Sequence, residues 1–123
     1  CSYILRNRPD SAIERFSALT ADAVWISAIV AAELRFGAEK LGSHPLKTAI
    51  EAWLAGFEVR PWPVEASNHY ARVRCALERQ GQPIGNMDLM LAAHALAEDT
   101  VVVTNNAREF HRVPGLAVEE WLL

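Results

Sequence analysis

The chain has 123 residues, of which 51% are hydrophobic and 22% are charged, and its formal net charge is −3. This length suits one domain with a substantial core, and the apolar content excludes an intrinsically disordered chain. No apolar run approaches the roughly 20 residues of a membrane-spanning helix. The small negative charge neither indicates nor excludes a nucleic-acid partner.

The two cysteines, Cys1 and Cys75, cannot form a disulfide framework. Neither has a second cysteine or a histidine at metal-ligand spacing. Reduced thiols and a cytoplasmic protein are therefore expected.

The predicted elements alternate between helix and strand. In chain order they are a short helix over 2–7, a helix from Ser11, a strand at 24–27, helices over 29–41 and 45–56, a strand at 57–60, a helix over 64–80, an apolar helix from 86 or 87 to 97, a strand at 101–104, a short helix at 108–110 and a final strand or tail near 117–118. This alternation predicts an α/β fold with a parallel sheet covered by helices on both faces. Ligand sites in such sheets lie at the carboxyl ends of the strands, here marked by Ser27 and residues 104–106.

Two carboxylates lie inside apolar stretches, where an unpaired charge is costly. Glu33 is predicted on the same helix face as Ile29 and Phe36, and Asp88 opens an apolar helix. Each has a purely structural alternative. Asp88 would interact favourably with the helix dipole in a first turn, and Glu33 would form a salt bridge with an arginine.

Taken together, Glu33 and Asp88 favour a metal site. Each lies early in a helix that follows a strand or a glycine-containing loop, so both are expected at one sheet edge. Two carboxylates about 4 Å apart repel by roughly 4 kcal/mol at an effective dielectric of 20, which a bound cation would relieve. Oxygen ligands without cysteine or histidine favour Mg²⁺ or Mn²⁺, and such an ion indicates phosphodiester chemistry.

Three blocks of the sequence resemble one known family. They are Ile26-Ser27 with Ala32-Glu33-Leu34, then GQPIGNMD at 81–88 with AAHA at 92–95, and VTNNAREFHRVPGL at 103–116. In this order they closely resemble the VapC toxins, which are PIN-domain ribonucleases of bacterial toxin–antitoxin pairs. The resemblance implies a three-layer α/β/α domain with a central parallel sheet.

The resemblance also implies a function. An acidic cluster would bind Mg²⁺ or Mn²⁺ and activate a water against an RNA phosphodiester, with tRNA as the preferred substrate. A VapB-type antitoxin would bind a groove formed by the helices of residues 2–20 and 44–56, and the chain would form a homodimer.

Site residues follow from the same resemblance. Glu33 and Asp88 occupy two metal-binding and catalytic positions, and Asn106 stands where many PIN domains carry a further aspartate. Ser27, Thr104 and Glu109 are candidates for supporting roles, although Ser27 would also suit a plain helix N-cap. Arg72 and Arg79 are candidates for RNA phosphate contacts, or simply part of a solvated helix face.

One departure from the family stands at the start of the chain. VapC toxins open with a short strand ending in Asp-Thr-Asn, just before the helix that residues 1–5 resemble, and this chain has no such segment. The expectation is one PIN domain over 1–123 that is incomplete at its N-terminus and lacks the first strand. If the molecule starts at Cys1, it would lack a central strand and have little or no nuclease activity. Two alternatives stay open: a degenerate, non-catalytic PIN module that binds antitoxin in operon repression, and a PIN-type nuclease that acts on DNA.

Overall fold

Five short strands form one sheet at the centre of the computed structural model, which describes residues 2–6 and 23–120. The strands are β1 (Tyr3–Leu5), β2 (Val24–Ser27), β3 (Glu58–Arg60), β4 (Val101–Thr104) and β5 (Val118–Glu120). They lie in the order β3-β2-β1-β4-β5, and every neighbouring pair is parallel. The α/β class and the central parallel sheet are confirmed.

Four helices cover the sheet in the described part of the chain. They are α1 (Ala28–Leu41), α2 (His44–Leu54), α3 (Ala66–Arg79) and α4 (Asn86–Ala97), and a 3₁₀ turn follows at Phe110–Arg112. Each agrees with a predicted helix to within a few residues. Within these ranges no helix has both the length and the apolar character needed to cross a bilayer.

Serines begin the first two helices. The Ser27 hydroxyl accepts a hydrogen bond from the Ile29 backbone N–H, and the Ser43 hydroxyl accepts one from Leu46. Gly42 ends α1 with a φ of 63°, a left-handed conformation that glycine adopts without steric cost. These local signals fix where α1 leaves the sheet and therefore where Glu33 lies.

The hydrophobic core joins the sheet to all four helices, and α4 is the most deeply buried of them. The middle of this helix is buried from Leu91 to Ala95, as the apolar sequence requires. The same buried cluster includes large side chains from three strands and the 3₁₀ turn: Ile4, Leu5, Trp25, Ile26, Val102, Val103 and Phe110. Asp88 is thus held at the start of a helix that has little freedom to move.

The prediction of a helix over residues 2–7 is wrong for the described part, because Tyr3–Leu5 is strand β1. The expectation that the sheet lacks a central strand is also wrong, since β1 lies between β2 and β4. A short apolar run such as Tyr-Ile-Leu has no periodicity that separates strand from helix. Pairing on both sides decides in favour of the strand, with Ile4 opposite Trp25 and Val102.

The predicted inner face of α1 is wrong as well. Phe36 is 66% exposed and Ala32 is exposed, whereas the buried residues are Val30, Ala31 and Ala38. Apolar residues occur on both sides of this helix, so their spacing alone did not select the side that meets the sheet. The predicted helix from Ser11, Cys1 and most of the 2–20 half of the predicted groove lie outside the described residues.

Candidate active site

Three elements bring charged side chains to the carboxyl edge of the sheet. Glu33 lies in α1, which starts directly after β2, and Asp88 lies in the first turn of α4. Arg6 follows β1, the strand between β2 and β4. In a parallel sheet these strand ends share one edge, so the fold places the three side chains together.

The Arg6 guanidinium contacts both carboxylates. Its Nε donates to Asp88 Oδ1 at 2.6 Å, and its Nη2 donates to Glu33 Oε2 at 3.1 Å. Glu33 Oε1 is buried, and within the described residues it has an ion-pair contact at 3.1 Å to Arg6 Nη1 but no hydrogen bond. The structural alternative for Glu33, a salt bridge to an arginine, is therefore also realised. Two partly buried carboxylates share a single cation.

Glu109 adds a third carboxyl group. Its hydrogen bond with Asp88 is the largest cause of a raised pKa, and desolvation and the negative charge of Asp88 raise it further. The Gly85 backbone hydrogen bond and Arg112 act in the opposite direction. The raised pKa favours the protonated form of Glu109, which can donate the hydrogen bond to Asp88.

A polar cavity of about 170 Å³ opens at this edge. Its lining residues come from β1, α4 and the turn after β4: Arg6, Asp88, Thr104, Asn105, Asn106, Glu109 and Phe110. Thr104 Oγ1 accepts from the Asn106 N–H at 3.0 Å and donates to the Asn106 carbonyl at 3.3 Å, which shapes the turn. The structure therefore brings Asn106, Thr104 and Glu109 together with Asp88, as the resemblance implies.

Other predicted residues lie elsewhere. Ser27 is fully buried beneath the edge, where it caps α1 and contacts His94. Arg72 and Arg79 are exposed on α3 and do not line this cavity. The predicted supporting role of Ser27 at a metal-bound water therefore has no direct geometric support, and its N-cap role is confirmed.

The chemistry of the edge fits a divalent cation. Within residues 2–6 and 23–120, no three Asp, Glu, His or Cys side chains form a ready-made metal cluster. Mg²⁺, however, is commonly held by one or two carboxylates and completes its shell with water and substrate phosphate. Arg6 already lies as a cation between Glu33 and Asp88, and Asn106, whose side chain carries another hard oxygen, lines the same cavity as Arg6 and Asp88.

Two residues of this region were not assigned to it from the sequence. Arg6 would have been found if residues 3–5 had been interpreted as a strand, because it then stands at a carboxyl strand end. His94 is buried, with a hydrogen bond on each ring nitrogen. A histidine within a continuous apolar helix was the available signal.

Comparisons with known proteins relate the chain to one family. The PIN domain family matches residues 1–116. The tRNA(fMet)-specific endonuclease VapC of Salmonella typhimurium is 38% identical over 122 residues, covering 98% of this chain and 92% of that protein. Ribonuclease VapC2 of Rickettsia felis is 35% identical over 123 residues, with coverages of 98% and 92%. A chain in the crystal structure of DNA-bound VapBC from Salmonella typhimurium aligns with a TM-score of 0.89 at 36% identity, covering 98% of both chains.

Proposed function

Because the chain belongs to the VapC group of the PIN-domain family, we propose that it is a divalent-metal-dependent endoribonuclease toxin. The observation that carries the proposal is the sharing of one guanidinium by Glu33 and Asp88 at the carboxyl edge of the sheet. A site with excess negative charge in a polar cavity suits a cation that in turn attracts phosphate.

Each of these residues has a proposed role in metal binding or RNA binding. Glu33 and Asp88 would hold Mg²⁺ or Mn²⁺, and Asn106 would offer a neutral oxygen from the lining of the cavity. The ion, when bound, lowers the pKa of a water and offsets the charge of the reacting phosphate. Glu109 orients Asp88 through their hydrogen bond, and Thr104 fixes the turn that presents Asn106. Arg72 and Arg79 offer positive charge to the RNA backbone from α3.

We propose tRNA as the substrate class. The support is the 38% identity, over 98% of this chain, to a relative that is a tRNA(fMet)-specific endonuclease. Initiator tRNA is therefore the first RNA to test, with ribosomal RNA and single-stranded DNA as the comparison substrates.

We also propose a VapB-type antitoxin as the partner, together with a homodimer of this chain. The structural relative from Salmonella typhimurium is a VapBC complex. An apolar groove of about 280 Å³ between α1 and α2 is lined by Leu34, Leu41, Leu46 and Ile50, with Glu33 at its margin. An antitoxin helix with apolar anchors would fit this groove and bring a basic side chain towards Glu33. The 44–56 half of the predicted antitoxin groove corresponds to α2.

The test is cleavage of a tRNA pool by the purified chain with Mg²⁺ or Mn²⁺, with and without EDTA, using Asp88→Asn as the disabled variant. We expect EDTA to abolish cleavage and Asp88→Asn to lower it by at least about 100-fold, because the ion contributes several kcal/mol to such reactions. Asp99→Asn is the matched control, since Asp99 is exposed and asparagine tolerates its φ of 51°. EDTA-resistant cleavage, or full activity of a folded Asp88→Asn variant, would contradict the proposal.

One observation favours a second candidate, a non-catalytic PIN module that binds antitoxin in operon repression. Asn106 is uncharged, and Arg6 already lies between the carboxylates. This candidate predicts no metal-dependent cleavage of any RNA by the wild-type chain, together with retained antitoxin binding. The cleavage assay above therefore separates the two functions.

A further inference from the structure

A buried imidazole links two helices beneath the candidate active site. His94 on α4 is 0% exposed, and its Nδ1 lies 2.9 Å from Ser27 Oγ. Its Nε2 lies 3.0 Å from Glu98 Oε2. Trp25 packs edge-on against the imidazole with the ring centroids 4.7 Å apart, which restrains the ring orientation.

The hydrogen atoms in this network have only one consistent arrangement for a neutral ring. Burial lowers the pKa of His94 most strongly and Arg60 lowers it further, against the raising influence of Glu98. The Glu98 carboxylate can only accept, so Nε2 of the neutral ring carries the hydrogen and donates it. Nδ1 is then an acceptor, and it takes the hydroxyl hydrogen of Ser27. The Ser27 oxygen in turn accepts the Ile29 N–H that begins α1.

This link and the two candidate metal ligands belong to the same pair of helices. Glu33 follows Ser27 by six residues along α1, and His94 follows Asp88 by six residues along α4. Ser27, at the start of α1, contacts His94 in the later part of α4. Glu33, farther along α1, contacts Arg6, which also contacts Asp88 in the first turn of α4. The helices therefore run in opposite directions, and six residues of helical rise separate the two levels by about 9 Å.

We infer that His94 is a positioning residue that sets the separation of Glu33 and Asp88 by holding Ser27 at the start of α1. The inference rests on the proposed metal-dependent function. His94 and Ser27 are both buried and hydrogen-bonded, so the contact between them has a fixed geometry. A shift of α1 relative to α4 at this level moves one carboxylate relative to the other, and the ion must then be held by a poorer geometry.

Two substitutions of His94 separate positioning from simple packing. In His94→Asn the side-chain oxygen overlays Nδ1 and can still accept from Ser27, but the contact to Glu98 is lost. In His94→Gln the terminal amide overlays Nε2 and can still donate to Glu98, but the contact to Ser27 is lost. Each variant keeps one of the two hydrogen bonds and removes the other.

The measurement is Mn²⁺ binding to the whole purified chain by isothermal titration calorimetry, together with the melting temperature of each variant. We expect His94→Gln to weaken Mn²⁺ binding by about 10-fold or more and His94→Asn to change it little, because partners that orient metal ligands affect affinity on this scale. Ser27→Ala should behave like His94→Gln and tests the same link if His94→Gln does not fold.

Ser43→Ala is the matched control for Ser27→Ala. It removes the same kind of N-cap hydrogen bond from α2, a helix that carries neither proposed ligand. Equal Mn²⁺ affinities of His94→Gln and His94→Asn, or equal losses in Ser27→Ala and Ser43→Ala, would overturn the inference while leaving the proposed function in place. A wild-type chain that binds no Mn²⁺ would overturn both.

Discussion

Arg35 and Arg6 both pair with carboxylates, but in different surroundings. Arg35 on α1 forms two hydrogen bonds of 2.9 Å with Glu51 on α2, and both side chains are 55% exposed. Arg6 contacts Glu33 and Asp88, whose side chains are 28% and 22% exposed. One guanidinium balances one carboxylate in the first case and two carboxylates in the second.

The two places differ in how their charges balance. The Arg35 hydrogen bonds lower the pKa of Glu51, and this pair is electrically complete on its own. Exposed pairs of this kind contribute little to stability. At the sheet edge, Glu33 and Asp88 share the one guanidinium of Arg6, so the formal charges of the three groups do not balance. The Arg35–Glu51 pair has the more regular hydrogen-bond geometry, but its charges balance. Unbalanced charge therefore makes the sheet edge the better candidate for a cation-binding site.

The largest expected effect compares the same substitution in the two places. Glu33→Gln should lower metal-dependent RNA cleavage by at least about 100-fold, because it removes a ligand charge of the proposed ion. Glu51→Gln should leave cleavage and the melting temperature without measurable change, because Glu51 pairs with Arg35 at the surface, away from the sheet edge. Cleavage rates under saturating Mg²⁺ provide the measurement. Similar activities of the two variants would show that the different charge balance around Arg6 and Arg35 has no effect on cleavage.

An intermediate effect is expected at Glu109. Glu109→Gln can still donate a hydrogen bond to Asp88 but contributes no negative charge, so we expect cleavage to fall by about 10-fold. The comparison is with Glu78→Gln on α3, an exposed glutamate that pairs with Arg74 at 2.9 Å. Single-turnover cleavage by both variants measures the difference. A Glu109→Gln variant with wild-type activity would limit Glu109 to a structural role.

The smallest expected effect is the pH dependence of stability that His94 contributes. The partner of this buried histidine, Glu98, also lies 3.5 Å from Arg60. Because the pKa of His94 is lowered in the folded chain, His94 contributes stability that is fully present above pH 6.5 and is lost as the pH falls below that value. Melting temperatures of the wild type and His94→Asn, measured from about pH 8 to about pH 5, should therefore converge at the acid end. A constant difference would show that His94 does not titrate in this range.

Much of the fold was predictable because local signals were strong. Ser27, Ser43 and Gly42 mark helix ends, and the Val101–Thr104 run reads as a buried strand. Strand β1 was not predictable in this way, since three apolar residues acquire their conformation from β2 and β4 on either side. Its position depends on pairing with residues that are distant in the sequence.

The site was predictable to a similar degree. Glu33 and Asp88 stand out because charges inside apolar runs need an explanation, and the structure places both beside Arg6. The identity of their shared partner and the link between Ser27 and His94 join remote segments, and no spacing in the sequence indicates them. The prediction of a metal at this edge stays a prediction.

The strand order has a consequence for how the chain is made. The central strand β1 pairs with β4, so Tyr3 can pair with Val101 only after the residues between them have been synthesised. Glu33 is likewise synthesised before Asp88, and the interval between them is on the order of several seconds at ordinary rates of translation. On the ribosome Glu33 therefore exists before its neighbour Asp88, so the candidate site can assemble only after α4 has been made.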